Sequence, residues 1–308
     1  MPLHPEVEAL LAHAAPPDAG APLDLQSFRA MAKAMTQALG SGPEMAEVTE
    51  ITLPGPGGEI PVRLYRPVAG ATLPVTMYFH SGGWMSGDAS TADVLCRMLA
   101  QGSGSLVASV EYRLAPEHPF PAALEDADAA TRWFAQNAAL LQADGTRLAV
   151  AGDSSGANLA TAVALRARDR GGPAIRFQLL GCPVTDSAHE EHPSYQDFAT
   201  GYLADAAILD WGWDSYVPDH AQRANPEVSV LRAASLAGLP PALVVTAEFD
   251  PLRDEGEAYA RALGQAGVDV ELIRYAGMVH GFTMLAGLLT VGREAVDHAA
   301  QRLGAALA

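Results

Sequence analysis

The sequence predicts an α/β protein built on a mostly parallel sheet with helices on both faces. Three observations carry this expectation. From about Val48 onward, strand-like and helix-like segments alternate along the chain. The apolar runs Val75 to Phe79 and Leu106 to Val110 have the composition of strands buried on both faces. At 308 residues and 49% hydrophobic, the chain has enough apolar side chain for a sizeable core.

Each element has its own warrant. Val48 to Leu53 and Glu59 to Tyr65 alternate polar with apolar residues, as half-exposed antiparallel strands do, and Gly55-Pro56-Gly57-Gly58 suits the hairpin between them. Val75 to Phe79 follows, then helical periodicity at Thr91 to Ala100, the strand Leu106 to Val110, and a strongly periodic helix at Ala122 to Leu141. Arg147 to Ala151 is a short buried strand, and Ala157 to Leu165 a helix of small and apolar residues. Further strands are expected at Ile175 to Leu180, Ala242 to Ala247 and Val268 to Tyr275. A helix from about Leu252 to Ala266 lies between the last two, and a final helix covers Thr290 to Leu307.

Two segments fall outside the alternation. Residues 1–45 precede the sheet and contain the amphipathic stretch Leu25 to Met35; residues 187–222 interrupt it with Tyr195, Tyr202, Trp211, Trp213 and Tyr216 among acidic residues. Insertions at one end of a sheet commonly cover a site, which makes the pair a candidate cap. The alternative is a set of ordinary peripheral helices. The core is then 46–186 with 223–308.

Composition excludes several classes of function. Thirty-six acidic against 19 basic residues give a formal charge of −17, which repels phosphate backbones and anionic lipid, so nucleic acid and membrane partners are not expected. No run approaches the length of a membrane span. The segment Met1 to Glu8 has neither a basic region nor an apolar core of the export type. Cys96 and Cys182, each in an apolar setting, read as reduced core thiols, and a cytoplasmic protein is the expectation.

Chemistry centres on Gly152-Asp153-Ser154-Ser155-Gly156, where a strand gives way to a helix. A Gly-x-Ser-x-Gly turn in that context forms a nucleophile elbow, a sharp bend that lifts the serine hydroxyl above the sheet. With 29 glycines in the chain the pentapeptide alone is weak, and a tight turn chosen for packing is its rival. Ser154 rather than Ser155 keeps glycine on both sides, so the register favours Ser154.

A serine hydroxyl needs a base, and the base an orienting acid. Asp250 stands at the end of the strand Ala242 to Ala247, just before Pro251; Glu248, still in the strand, and Asp254, a turn into the next helix, compete with it. A helix cap is the other reading of Asp250. Of the nine histidines only His280 and His298 follow Asp250. His280 lies in a loop after the last strand and is the expected base, whereas His298 sits on the terminal helix.

Acyl transfer also requires donors for an oxyanion. After Val75 to Phe79 comes His80-Ser81-Gly82-Gly83-Trp84, whose consecutive glycines let backbone N–H groups approach a substrate. Gly82, Gly83 and Ser155 are the candidate donors, against a plain turn as the alternative.

Together these residues resemble the hormone-sensitive-lipase-like, or family IV, bacterial carboxylesterases of the α/β-hydrolase superfamily. The resemblance spans about 45–285. It rests on His80 to Trp84, Tyr112-Arg113-Leu114-Ala115-Pro116-Glu117-His118-Pro119-Phe120-Pro121-Ala122, Gly152 to Gly156, Asp250 to Glu255, and His280-Gly281-Phe282. It implies an eight-stranded α/β-hydrolase core with a helical cap, and hydrolysis of short- to medium-chain carboxylic esters with neither metal nor organic cofactor. It implies Ser154, Asp250 and His280 as triad, Gly82, Gly83 and Ser155 as oxyanion hole, and His80 as a brace for the oxyanion loop. The family usually has glycine at Ser81 and alanine at Ser155, departures that bear on substrate range. An amidase, thioesterase or lactonase on the same triad is the alternative. A ligand-binding protein on this scaffold is a further one, although related gibberellin receptors have lost the histidine that His280 keeps here. Relatives often dimerise along a sheet edge, which leaves a homodimer open.

Overall fold

A computed structural model describes residues 2–13 and 24–308. Residues 1 and 14–23 of the expected 1–45 cap segment lie outside the described residues. The chain runs α1 (Pro5–His13), α2 (Leu25–Ala38), β1 (Glu47–Gly55), β2 (Gly58–Arg66), β3 (Leu73–Phe79), α3 (Asp93–Ser103), β4 (Leu106–Val110), α4 (Ala122–Asn137), β5 (Ala143–Asp153), α5 (Ser155–Asp169) and β6 (Phe177–Gly181). It continues through α6 (Ser194–Asp197), α7 (Ala206–Tyr216), β7 (Ala242–Phe249), α8 (Arg253–Gln265), β8 (Val270–Val279) and α9 (Thr290–Leu307).

The eight strands form one sheet in the order β1-β2-β4-β3-β5-β6-β7-β8. β1 and β2 pair antiparallel across the Gly55–Gly58 hairpin, and β2 is antiparallel to β4. All remaining pairs are parallel. Successive side chains of a strand face opposite sides, and the core divides accordingly. Val75, Met77, Phe79, Leu148, Val150, Ala242 and Val244 pack with α4, α5 and α8 on one face. Tyr78, Ala149, Ala151, Leu243, Val245 and Ala247 pack with α3 and α9 on the other.

Several boundaries differ from the sequence reading. The periodic stretch expected to run to Leu141 leaves the α-helix at Asn137 and ends in a 3-10 turn, Ala138–Leu141. β5 begins four residues early, at Ala143, through an irregularity opposite Pro74 and Val75. β8 extends past Tyr275 to Val279 because a shift between Ala247 and Phe249 lets the two strands pair again at Phe249 and Val279. That extension brings the strand end to the residue before His280. Cys96 and Cys182 are both buried thiols. No helix among the described residues is long and apolar enough to cross a membrane.

Candidate active site

Ser154, Asp250 and His280 each stand one residue beyond the carboxyl end of a parallel strand, β5, β7 and β8 respectively. That end of an open α/β sheet is where such folds bind ligands. The structure brings the three side chains into a chain of contacts. His280 Nε2 is 3.1 Å from Ser154 Oγ, and His280 Nδ1 is 2.9 Å from Asp250 Oδ2.

The turn at Ser154 explains its flanking glycines. Ser154 has φ 55° and ψ −120°, a conformation rare for a residue with a side chain. A Cβ on Gly152 would run into the backbone of Gly156, and one on Gly156 into the carbonyls of Phe79 and His80. Hydrogen bonds lock the bend. The Ser154 N–H donates to Gly181 O at 2.8 Å, while its carbonyl accepts from Asn158 at 3.2 Å and Val184 at 3.3 Å.

Asp250 is fully buried, and its second oxygen accepts the N–H of Leu252 at 2.8 Å, so the carboxylate is held at both ends. The rivals point elsewhere. Glu248 accepts from Gly277 N–H at 2.8 Å, and Asp254 from Ser194 N–H at 2.9 Å. His298 bonds Glu271 on β8 at 3.0 Å. Burial alone would depress the His280 pKa, but the charge and hydrogen bond of Asp250, with a smaller contribution from Asp153, raise it above the ordinary imidazole value.

The glycine loop after β3 faces the same point. Gly82 has φ 120° and Gly83 φ 61°, and the Gly82 carbonyl accepts from Met85 at 3.1 Å and Ser86 at 3.0 Å. A Cβ on Gly82 would collide with the Ser86 backbone, which only glycine avoids. The N–H groups of Gly82, Gly83 and Ser155 have no protein acceptor among the described residues. Gly82 and Gly83 line one cavity with Ser154 and His280. Ser155, fully buried, opens α5 beside them, and its N–H belongs to the unsatisfied first turn of that helix.

His80 lies behind this loop. Its ring stacks on Tyr112 at 4.2 Å, its Nδ1 bonds the Ser81 carbonyl at 2.8 Å, and the Tyr112 hydroxyl donates to the His80 carbonyl at 2.7 Å. Burial lowers its pKa to about 4, so the ring is neutral at physiological pH. The Tyr112 to Ala122 motif thus acts as scaffolding: Arg113 holds Asp126 through three bonds, two from its guanidinium at 2.8 and 2.9 Å and one from its backbone N–H at 3.0 Å, and Ala115 N–H donates to Trp84 O at 2.9 Å.

Two neighbours escaped the sequence reading. Asp153 accepts from Tyr78 at 3.1 Å and from Thr283 at 2.6 Å, tying the elbow to the segment after His280. The one signal for it was an acid in an otherwise apolar run. Met284 receives the Ser81 hydroxyl at 2.9 Å. Among the described residues, one group has donor atoms near enough for a metal ion: Cys182, Asp250 and His280, all within 4.8 Å. Two of those side chains are already joined by their own hydrogen bond.

The cavity above Ser154 holds about 200 Å³ and is walled by apolar side chains. Phe28, Met31 and Met35 come from α2, Ile208, Leu209 and Trp213 from α7. Met31, Met35, Trp84 and Trp213 reach it. Phe198, Tyr202 and Trp211 do not: Phe198 and Tyr202 pack on Phe249 at 5.5 and 5.3 Å, and Trp211 meets Phe28 edge-on at 5.6 Å.

Comparisons with known proteins agree with this architecture. A family model described as the alpha/beta hydrolase fold matches residues 76–284. The carboxylic ester hydrolase LipN of Mycobacterium tuberculosis is 44% identical over 85% of this chain and 71% of its own. An ethyl acetate hydrolase of Pseudomonas putida is 42% identical over 77% of this chain and 76% of its own. Among solved structures, a thermostable esterase from Pseudomonas putida superposes with a TM-score of 0.94 at 41% identity, covering 100% of this chain and 98% of that one.

Proposed function

This chain belongs to the hormone-sensitive-lipase-like carboxylesterases of the α/β-hydrolase superfamily, and we propose that it hydrolyses short- to medium-chain esters through an acyl-enzyme on Ser154. It is a carboxylic ester hydrolase. The observation that carries the proposed route is the unbroken contact from Asp250 through His280 to Ser154.

In this reading His280 Nε2 takes the Ser154 proton as the hydroxyl attacks the ester carbonyl. Asp250 holds Nδ1–H and stabilises the imidazolium that forms. The N–H groups of Gly82, Gly83 and Ser155 receive the oxyanion. The tetrahedral intermediate expels the alcohol, which leaves with the proton from His280. Water then attacks the acyl carbonyl, with His280 as base, and releases the acid. His80, neutral and clamped by Tyr112, serves as a brace. The apolar walls and modest volume of the cavity favour a short acyl group. An ester is preferred to an amide, thioester or lactone because the relatives named above are ester hydrolases.

The α2 and α7 segments that roof the cavity are the two parts of the proposed cap, 1–45 and 187–222. The edge strand β8, with Leu272 exposed and the His4 N–H donating to the Gly277 carbonyl near its end, supports pairing of two copies along the rest of its length. Two buried, unbridged thiols fit a cytoplasmic setting.

Ser154→Ala lowers kcat on p-nitrophenyl acetate by about 10⁴-fold or more. A phosphonate ester labels the native protein at Ser154 and leaves the variant unlabelled. Near-native turnover by the variant, or absence of labelling in the native protein, refutes the route.

A further inference from the structure

Helix α2 is an unusual wall for a binding cavity. None of its residues is fully buried, and Met31 and Met35, which line the cavity, are 55% and 42% exposed. A helix so thinly packed needs another reason to stay in place. Leu25 and Phe28 pack against the core, with Phe28 edge-on to Trp211, and among the described residues the polar side-chain ties from α2 to the body are a 3.7 Å pair between Lys33 and Asp88 and the hydrogen bonds of Arg29.

Arg29 reaches away from the cavity and makes four hydrogen bonds. Two grip Glu117, from Nη1 at 2.7 Å and Nη2 at 2.8 Å. The others end on backbone carbonyls, from Nε to Met85 at 2.8 Å and from Nη2 to Ala115 at 3.3 Å. Both carbonyls belong to residues bonded directly to the glycine loop. Met85 N–H donates to the Gly82 carbonyl, and Ala115 N–H to the Trp84 carbonyl. One guanidinium therefore joins the acyl wall to the peptide units that carry the oxyanion donors.

We propose that Arg29 is a positioning residue that couples the α2 wall of the acyl pocket to the Gly82–Gly83 oxyanion loop. The proposal rests on the Ser154 hydrolase reading given above. Stability is not its expected role, since an ion pair this exposed contributes little. Geometry is. The planar fork of arginine binds a carboxylate and two carbonyls in fixed directions, which the point charge of lysine cannot do. An oxyanion donor displaced by a fraction of an ångström loses much of its value.

The experiment compares Arg29→Lys, Arg29→Ala, Glu117→Gln and Lys33→Ala in the full chain. Values of kcat and KM are measured on p-nitrophenyl acetate and hexanoate, and each is divided by the site concentration titrated with a phosphonate ester. Arg29→Lys, which keeps the charge and the stem, is expected to lower kcat per titrated site about tenfold on acetate. Its KM is expected to rise more for hexanoate, which leans on α2, than for acetate. Glu117→Gln keeps the two carbonyl bonds and loses less, and Lys33→Ala behaves as native. Arg29→Ala repeats the loss; should it not fold, the lysine variant decides alone. A kcat per site within about twofold of native in Arg29→Lys, or an equal fall in Lys33→Ala, overturns the coupling. A native protein that takes no phosphonate overturns the Ser154 reading and this proposal with it, whereas normal labelling with unchanged kcat overturns the coupling alone.

Discussion

His280 works under two opposed influences. It lies in a mostly dry site, which disfavours its charged form, against a fully buried Asp250, which favours it; the second wins, and the pKa sits above 6.5. As the proposed base, His280 must be neutral in the free enzyme, so kcat/KM rises with pH through that raised pKa. Asp250→Asn removes the favourable charge and leaves the burial. The acid limb of the profile then moves to lower pH, while the plateau falls about 10³–10⁴-fold through the loss of orientation. A limb that stays in place would show that another group titrates there. At this scale the sequence was most legible where chemistry demands a rare residue type. His280 and His298 were the two histidines after Asp250, and position relative to a strand end separated them. Asp153 was not legible, because nothing local shows that its carboxylate meets Tyr78 and Thr283, the latter 130 residues away.

The elements around the serine make a sharper test of packing than of chemistry. Gly156 lies where α5 passes against the end of β3, with no room for a methyl group between the helix and the carbonyls of Phe79 and His80. Gly156→Ala is therefore expected to destabilise by about 1–3 kcal/mol through overpacking. Gly83 meets only Met85 Cε, at 3.7 Å, so Gly83→Ala has the space and bears only the strain of its φ of 61°, about 1–2 kcal/mol. Urea titration of both variants checks the ordering, and a Gly156→Ala protein as stable as native would contradict the close approach. Element types were legible from periodicity, and element ends were not. Local pattern places the end of β8 at Tyr275, since its continuation depends on a pairing irregularity with β7 that no local pattern announces. Tyr202 and Trp211 are equally ambiguous in the sequence, because an aromatic side chain in an insertion packs equally well on a lid or on a neighbour.

For the whole molecule the proposed dimer turns on the β8 edge of the sheet. β8 ends the strand order, and from Glu271 to Ala276 its residues alternate between half-buried and exposed, Leu272 among the exposed, before the buried Gly277, Met278 and Val279. If two copies pair there, sedimentation equilibrium gives twice the chain mass of 32.1 kDa, and Leu272→Lys shifts the equilibrium toward one copy. A native protein that sediments as a single chain at high concentration removes the dimer proposal. The charge of −17 acts at this scale too, since it resists unspecific association and makes any pairing stronger as salt screens it.

By itself the sequence determined the α/β class, the alternation of strands and helices, and the short list of residues able to activate a serine. Periodicity and residue type are local properties, and glycine, aspartate and histidine in those contexts admit few other uses. Only the tertiary structure decided which acid faces the imidazole, which aromatic residues reach the cavity, and that Arg29 spans from the pocket wall to the glycine loop. Those outcomes depend on distances between segments scores of residues apart, and such distances arise when the sheet closes its register and the helices pack.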